Sequence, residues 1–181
     1  AGLRVHKLAL GLSDDWYKPA MQAPQIDKPY ILTVCTNQPR KNLPAAMAMA
    51  GRAIRAKHEE GVDLYYVLVT DPDSKDGWDI RELAGSCGLA EDGLIVIDQA
   101  AVSTAALKIL YANASVFLLT SIAEGIGLPI YEAQAQACPV VATNCCAIPE
   151  AVKEGELIDV AAITPYPWGN TLHFWPSIED G

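Results

Sequence analysis

The chain has 181 residues, a length that suits one well-packed domain and is too short for two ordinary ones. Hydrophobic residues make up 51% of it in short blocks, which excludes a disordered chain, and no apolar run approaches the roughly 20 residues that span a bilayer. The formal net charge of −9 excludes nucleic acid as a partner, because a phosphate backbone requires clustered Lys and Arg.

In chain order, the first ten residues read as a strand that continues from an upstream segment. Apolar runs rich in Val, Ile, Leu and Tyr then predict five strands, at Tyr30–Cys35, Leu64–Thr70, Leu94–Ile97, Val116–Thr120 and Val140–Thr143. Apolar and polar residues do not clearly alternate along these runs, which is typical of parallel strands buried on both faces. The segments between and after them predict five helices, at Leu43–Glu60, Ile80–Ser86, Ser103–Asn113, Leu128–Ala137 and Pro149–Glu154.

This alternation of strands and helices predicts an α/β fold, a Rossmann-like doubly wound parallel sheet. We expect a linker over residues 1–28, the sheet domain over 29–163 and a tail rich in Pro and aromatic residues over 164–181. Within the tail, Thr164–Pro176 contains too much Pro and Gly for regular structure. Ligands of such a sheet bind beyond the carboxyl ends of the strands, so the loops that follow the strands are the candidate site segments.

The cysteines and histidines show no spacing typical of metal ligands, and no metal site is predicted. Adjacent Cys145 and Cys146 could hold a metal or serve a redox role, but small buried thiols in a reducing cytosol are the favoured interpretation.

The segment Glu124–Glu132 (EGIGLPIYE) follows the fourth predicted strand and leads into a helix. Gly125 and Gly127 let the backbone approach a ligand closely, and a helix N-terminus favours a diphosphate. Glu132 can accept hydrogen bonds from both hydroxyls of a ribose, and Glu124 can do the same for a sugar. A tight turn with two carboxylates remains the alternative. A nicotinamide site is disfavoured because Ile130 stands at the third glycine position of GxGxxG.

The segment EGIGLPIYEAQAQACPVVAT, which begins at Glu124, resembles the EGFGLPxxEAxAxGxPVVAT signature of the GT4 glycosyltransferases (glycosyl transferases group 1), including its EX7E motif. Three further segments resemble family motifs in the same order, namely Thr33–Thr36 with Pro39–Asn42 (VGTxxPRKN), Leu110–Leu118 (LYxxAdvfl) and Ala147–Glu150 (gaiPEv). Two positions depart from the family pattern, since Cys35 and Ala137 each replace a glycine.

The resemblance implies a GT-B C-terminal, donor-binding domain with no cofactor and no metal requirement. It implies that Arg40 and Lys41 neutralise the diphosphate of a nucleoside diphosphate sugar while Glu124 holds the donor sugar. The nucleotide-binding set that it implies comprises Thr36, Gly125, Gly127, Leu128 and, on the ribose, Glu132. The base is expected near Thr70 and Ile97–Gln99.

The function expected from this resemblance is the donor half of a retaining, metal-independent enzyme that transfers a hexosyl unit from a UDP-, GDP- or ADP-linked sugar. The acceptor is expected to be a glycan or a lipid-linked glycan of polysaccharide biosynthesis. Acceptor recognition and a catalytic histidine are expected in a missing N-terminal domain, so the chain alone is expected to be inactive. The expected location is cytoplasmic, or peripheral at the inner membrane face through the missing half.

Four alternatives stay open at this point. A nucleotide-sugar 2-epimerase and a non-catalytic nucleotide-sugar-binding module would share the fold. Asp71-Pro72-Asp73 is formally a metal-binding DxD motif, although ordinary turn chemistry is favoured. The tail aromatics Trp168, Phe174 and Trp175 could form a sugar platform, although packing against the domain or covering a surface meant for missing chain is favoured.

Overall fold

Six parallel strands form the central sheet of the structure, a computed structural model that describes residues 11–20, 26–165 and 172–178. The strands are β1 (Tyr30–Val34), β2 (Tyr65–Thr70), β3 (Leu94–Asp98), β4 (Val116–Leu119), β5 (Val140–Thr143) and β6 (Gly155–Ile158). They lie side by side in the order β3-β2-β1-β4-β5-β6. This order confirms the predicted doubly wound α/β fold, and the winding direction reverses between β1 and β4, where such sheets bind their ligands.

The five predicted helices are all present, as α1 (Leu43–Glu59), α2 (Ile80–Ser86), α3 (Thr104–Asn113), α4 (Leu128–Ala135) and α5 (Ile148–Ala151). The predicted helix bounds were least accurate at the C-terminal ends of α4 and α5. Helix α4 ends before Ala137, whose φ of 58° gives the left-handed turn that a glycine usually supplies after a helix. Helix α5 ends at Ala151 because Val152 is already extended, ahead of β6. Within the described ranges, none of the helices has the length and apolar character that a membrane span needs.

Two sequence predictions were wrong near the C-terminus. Strand β6 had not been predicted, because its exposed residues break the apolar pattern of the other strands. The segment Thr164–Pro176, expected to lack regular structure, contains the end of β7 (Val160–Pro165) and all of β8 (Leu172–Pro176), which pair as an antiparallel hairpin. Each strand ends in a proline, where the missing N–H costs the ladder little. The opening segment 1–10 and Trp168 lie outside the described residues.

The core lies on both faces of the sheet. The continuously apolar strand segments predicted this arrangement. On one face Tyr111, Phe117 and Ile130 are fully buried beneath α3 and α4. On the other face Met47 and Leu68 are fully buried beneath α1 and α2. Each such side chain contributes roughly 1.5–3 kcal/mol through removal of apolar surface from water. The two packed faces hold the strands in place, so that the loops beyond their carboxyl ends are carried on a rigid base.

Candidate functional site

The loop after β1 is held against the loop after β4, at the point where the sheet reverses its winding. Pro39–Lys41 form a short 3₁₀ turn, which passes to α1 through Asn42 with a left-handed φ of 53°. The hydroxyl of Thr120 donates to the backbone oxygens of Lys41 at 3.3 Å and Asn42 at 3.0 Å. The amide of Ile122 donates to the backbone oxygen of Arg40 at 2.9 Å. These bonds fix the predicted cationic loop beside the glutamate-containing loop.

The three residues predicted to be catalytic meet at one point. The carboxylate of Glu124 accepts hydrogen bonds from Lys41 Nζ and, at 3.0 Å, from Ser121 Oγ. Its second oxygen lies 3.5 Å from a guanidinium nitrogen of Arg40. The side chains of Lys41 and Glu124 are each only 8% exposed, whereas that of Arg40 is 44% exposed. Lys41 is therefore committed to Glu124 as a buried pair, and Arg40 is the cation that faces outward.

The glycine-rich turn ahead of α4 passes through a left-handed residue. Gly127 has a φ of 73°, and a Cβ added there would lie 3.1 Å from Cδ1 of Ile130. Both features favour glycine at this position. Gly125 has open space where a Cβ would be, and Leu128 is exposed at the first position of α4. The turn thus leaves room for a ligand near the helix N-terminus, where partial positive charge accumulates.

The second glutamate of the motif lies in a more apolar environment. Glu132 is half-buried in α4, and its Oε2 accepts a 3.0 Å hydrogen bond from the hydroxyl of Tyr111 in α3. Burial raises the pKa of this carboxyl, and the Tyr111 bond opposes that shift. The ring of Trp16 packs edge-on against Tyr111, with 6.1 Å between ring centroids. Tyr111 belongs to the LYxxA motif, which was a signal of its importance, but the sequence did not link it to Glu132.

The loop after β2 supports the site without entering it. A carboxylate oxygen of Asp71 accepts a hydrogen bond from the amide of Asn37, which holds the pKa of Asp71 below its usual value. The side chain of buried Asn37 exchanges two 2.9 Å hydrogen bonds with the backbone of Trp78. The amide of Ser74 donates to the backbone oxygen of Asp71 at 3.2 Å, as the turn interpretation of this segment predicted. Asn37 was not singled out from the sequence.

Thr36 lies in the loop after β1, and Thr70 is the last residue of β2. The hydroxyls of both threonines are buried. Asp98, expected near the base, caps the following turn by accepting from the amide of Ala100 at 2.9 Å. The described part of the chain brings together no group of three or more metal-ligating side chains.

The interpretation of Cys145 and Cys146 as buried thiols was correct for Cys145 and wrong for Cys146. Cys35, Cys138 and Cys145 are buried, and burial raises the pKa of each thiol to about 12. Cys146 is exposed, because its φ of 53° turns the backbone outward after β5. The side chain of Cys146 consequently borders the site instead of the core.

A cavity of about 600 Å³ opens beside the Lys41–Glu124 pair. Its lining residues come from four separate segments of the chain, and they are Arg40, Ala123, Glu124, Gly125, Cys146, Leu172 and Phe174. Another cavity of about 590 Å³ lies at the opposite edge of the sheet, near Lys28 and His58, where β2 and β3 begin. Three of the predicted site residues, Arg40, Glu124 and Gly125, line the first cavity. The other predicted site residues are not among its lining residues, namely Thr36, Lys41, Gly127, Leu128 and Glu132. Leu172 and Phe174 belong to the hairpin that the sequence failed to predict.

Comparisons with known proteins agree with this architecture. A family model described as "Glycosyl transferases group 1" matches residues 28–165. The O-antigen chain mannosyltransferase B of Escherichia coli is 42% identical over 64 residues, which cover 33% of this chain and 17% of that protein.

Solved structures share the fold at lower identity. A glycosyltransferase from Rickettsia africae has a TM-score of 0.65 at 19% identity, over 82% of this chain and 41% of that one. The C-terminal domain of a glycosyl transferase group 1 family protein from Francisella tularensis has a TM-score of 0.62 at 23% identity, over 82% of this chain and 80% of that one. The chain thus spans less than half the length of the Rickettsia protein and about four fifths of the isolated C-terminal domain.

Proposed function

This chain belongs to the glycosyl transferases group 1 family, and on that premise we propose that it is the donor-binding half of a glycosyltransferase. Its ligand is a nucleoside diphosphate sugar, which binds in the cavity between the loops after β1 and β4. The observation that carries the proposal is the cluster of Arg40, Lys41 and Glu124, because two cations and a carboxylate meet beside the glycine-rich start of a helix. That combination suits a ligand with both anionic and hydroxyl groups.

Arg40 and Lys41 have different roles in this proposal. Arg40, at the edge of the cavity, contacts the diphosphate directly and stabilises the negative charge that grows on it as the glycosidic bond breaks. Lys41 holds Glu124 in position and adds its positive charge from behind. With Lys41 Nζ and Ser121 Oγ both on the first oxygen, the carboxylate keeps acceptor capacity for hydroxyls of the donor sugar.

Glu132 and the helix that carries it hold the nucleotide. An ionised carboxylate accepts bonds from both ribose hydroxyls, and the N-terminus of α4 favours the diphosphate. Thr36, in the same loop as Arg40, completes the proposed nucleotide-binding set. In metal-dependent sites a divalent ion neutralises the diphosphate. Because Arg40 and Lys41 supply that positive charge here, we propose that the transfer is metal-independent.

The complete reaction needs residues beyond this chain. We propose that a second domain supplies the acceptor site, and that the full enzyme transfers a hexosyl unit with retention to a glycan or a lipid-linked glycan. The similarity to a protein called O-antigen chain mannosyltransferase B supports polysaccharide biosynthesis and places mannose donors among those to test. The proposed location is cytoplasmic, or peripheral at the inner membrane face through the second domain.

Calorimetry on this chain with UDP-, GDP- and ADP-linked sugars tests the proposal. We expect one base series to bind at micromolar to millimolar concentration, with no loss of affinity when EDTA is present. Absence of binding by every donor at millimolar concentration would refute the proposal. NMR of the same mixtures checks the sugar after incubation, since conversion to the 2-epimer would instead favour the epimerase alternative.

A further inference from the structure

The hairpin of β7 and β8 is attached next to the proposed donor site. The amide of Phe174 donates to the backbone oxygen of Ile122 at 2.9 Å, only two residues before Glu124. The amide of Ser177 donates to the backbone oxygen of Asp159 at 2.7 Å, and Arg52 donates to the backbone oxygen of Ile178 at 2.7 Å. Strand β8 is therefore held against the sheet domain at its middle and just beyond its C-terminal end.

One face of β8 forms a wall of the cavity. Leu172 and Phe174 are two residues apart on the strand, so their side chains project to the same face. Both line the cavity that Arg40 and Glu124 also line. Phe174 also packs against the core, whereas Leu172 is 53% exposed. Core packing alone accounts for Phe174 but leaves Leu172 in water.

The cavity consequently has two chemically different walls. Arg40 and Glu124 present charge and hydrogen-bonding groups, whereas Leu172 and Phe174 have apolar side chains that form no hydrogen bonds. A ligand with both polar and apolar surface complements this lining. A hexose fits this description, because its hydroxyls lie around the rim of the ring and its C–H bonds form an apolar face.

We propose that Leu172 and Phe174 bind the donor sugar by packing against the apolar C–H face of its hexosyl group, while Glu124 holds its hydroxyls. This inference rests on the proposed function. It assigns to the hairpin a role in binding the sugar and none in binding the nucleotide. The wall strengthens binding only when a sugar is attached to the diphosphate.

The inference is tested by comparing the binding of a nucleoside diphosphate with that of the matching nucleoside diphosphate sugar. The variants are Leu172→Ala, Phe174→Ala and the double variant of this chain. We expect the double variant to bind the nucleotide sugar about three- to tenfold more weakly, the effect of losing apolar and aromatic contacts, while binding of the free diphosphate stays within twofold. Thermal unfolding of each variant checks the fold, and Leu172→Ala remains informative if Phe174→Ala unfolds, because Leu172 is largely exposed.

Trp175→Ala is the matched control, because Trp175 lies on the opposite face of the same strand and donates from its indole nitrogen to Thr164 Oγ1 at 2.9 Å. It should leave binding of both ligands unchanged.

Equal weakening of both ligands, or no change for either, would overturn the inference while leaving the proposed function intact. A wild-type chain that binds no nucleotide sugar would instead refute the proposed function. In a full-length enzyme, an increase in acceptor KM without a change in donor binding would assign the wall to the acceptor and overturn the inference.

Discussion

The hydroxyl of Tyr111 donates a 3.0 Å hydrogen bond to Oε2 of Glu132, linking α3 to α4 beneath the proposed ribose site. The bond joins a phenol whose pKa burial raises well above its usual value to a carboxyl whose pKa burial also raises. Tyr111 therefore remains a proton donor over the working pH range, and it favours the ionised form of Glu132. The pH at which Glu132 gains a proton therefore provides a direct test of its role in binding.

Acidification should weaken nucleotide-sugar binding through Glu132. Its raised pKa means that the carboxyl gains a proton at a pH above the 4.5 of an ordinary glutamate, and it then loses its charge and part of its acceptor capacity. Affinity measured by calorimetry should fall as the pH decreases through this mildly acidic range. Glu132→Gln should bind more weakly, by about 1.5–3 kcal/mol at neutral pH, and lose this pH dependence. Glu156→Gln, at an exposed edge-strand position, should behave as wild type.

The same pKa shift has the opposite sign for stability. A carboxyl with a raised folded pKa stabilises the native state fully below its unfolded pKa, and that contribution is lost as the pH rises through the folded pKa. Urea unfolding between these limits should therefore show Glu132→Gln gaining stability relative to wild type as the pH increases. A parallel response of the two proteins would contradict the assigned environment of Glu132.

Tyr111→Phe should move the pH dependence of binding to higher pH. Removing the hydroxyl takes away the hydrogen bond that lowers the Glu132 pKa, so the carboxyl gains its proton sooner as the pH falls. We also expect a loss of about 1–2 kcal/mol in the free energy of unfolding. Tyr30→Phe is the matched control, since the buried Tyr30 hydroxyl donates to the backbone oxygen of Leu110 at 2.7 Å. That variant should lose similar stability without moving the binding profile.

Lys41→Met should destabilise the chain as well as weaken binding. The substitution leaves Glu124 buried without its main partner, although Ser121 and Arg40 still contact the carboxylate. We expect the free energy of unfolding to fall by roughly 3 kcal/mol. Adding Glu124→Gln should recover part of this loss in urea unfolding. Lys108→Met provides the comparison, because Lys108 is also buried but donates to the backbone oxygen of Asp15 at 2.6 Å, away from the cavity. Its loss should leave nucleotide-sugar affinity unchanged.

Arg40→Ala should weaken binding with almost no effect on stability. The side chain is 44% exposed and its contact with Glu124 is long, so the unfolding free energy should change by less than about 0.5 kcal/mol. Loss of one charged contact to the diphosphate should cost about 1.5–3 kcal/mol of binding free energy in calorimetry. Arg81→Ala, which removes an exposed partner of Glu91, should change neither quantity. Unchanged affinity in Arg40→Ala would mean that the diphosphate lies elsewhere.

Asp71 and Asp73 should respond differently to substitution. Asp71→Ala removes the acceptor of the Asn37 amide and should cost about 1 kcal/mol of stability, whereas exposed Asp73→Ala should cost almost nothing. The pKa of Asp71 is lowered, so its contribution is present above the unfolded pKa and is lost as the pH falls through the folded value, below 3.8. Binding that required Mn²⁺ and both aspartates would restore the metal-binding interpretation.

The sequence by itself determined the strand–helix alternation, the doubly wound fold and the local shape of the EGIGLPIYE segment. These features depend on neighbouring residues, such as buried apolar runs and Gly127 at a left-handed position, and can be read within one short window of sequence. The resemblance then brought Arg40, Lys41 and Glu124 into a single hypothesis.

Only the tertiary structure decided how those residues are used. Lys41 and Glu124 are 83 positions apart, and Tyr111 and Glu132 are 21 positions apart on separate helices. Their pairing depends on which strands become neighbours and on how deeply each side chain is buried. The same reason applies to the hairpin: its proline- and glycine-rich composition predicted irregular structure, whereas its pairing and its bond to Ile122 come from distant parts of the chain. Long-range packing therefore made Lys41 a buried partner, left Arg40 exposed, and completed the cavity with Leu172 and Phe174.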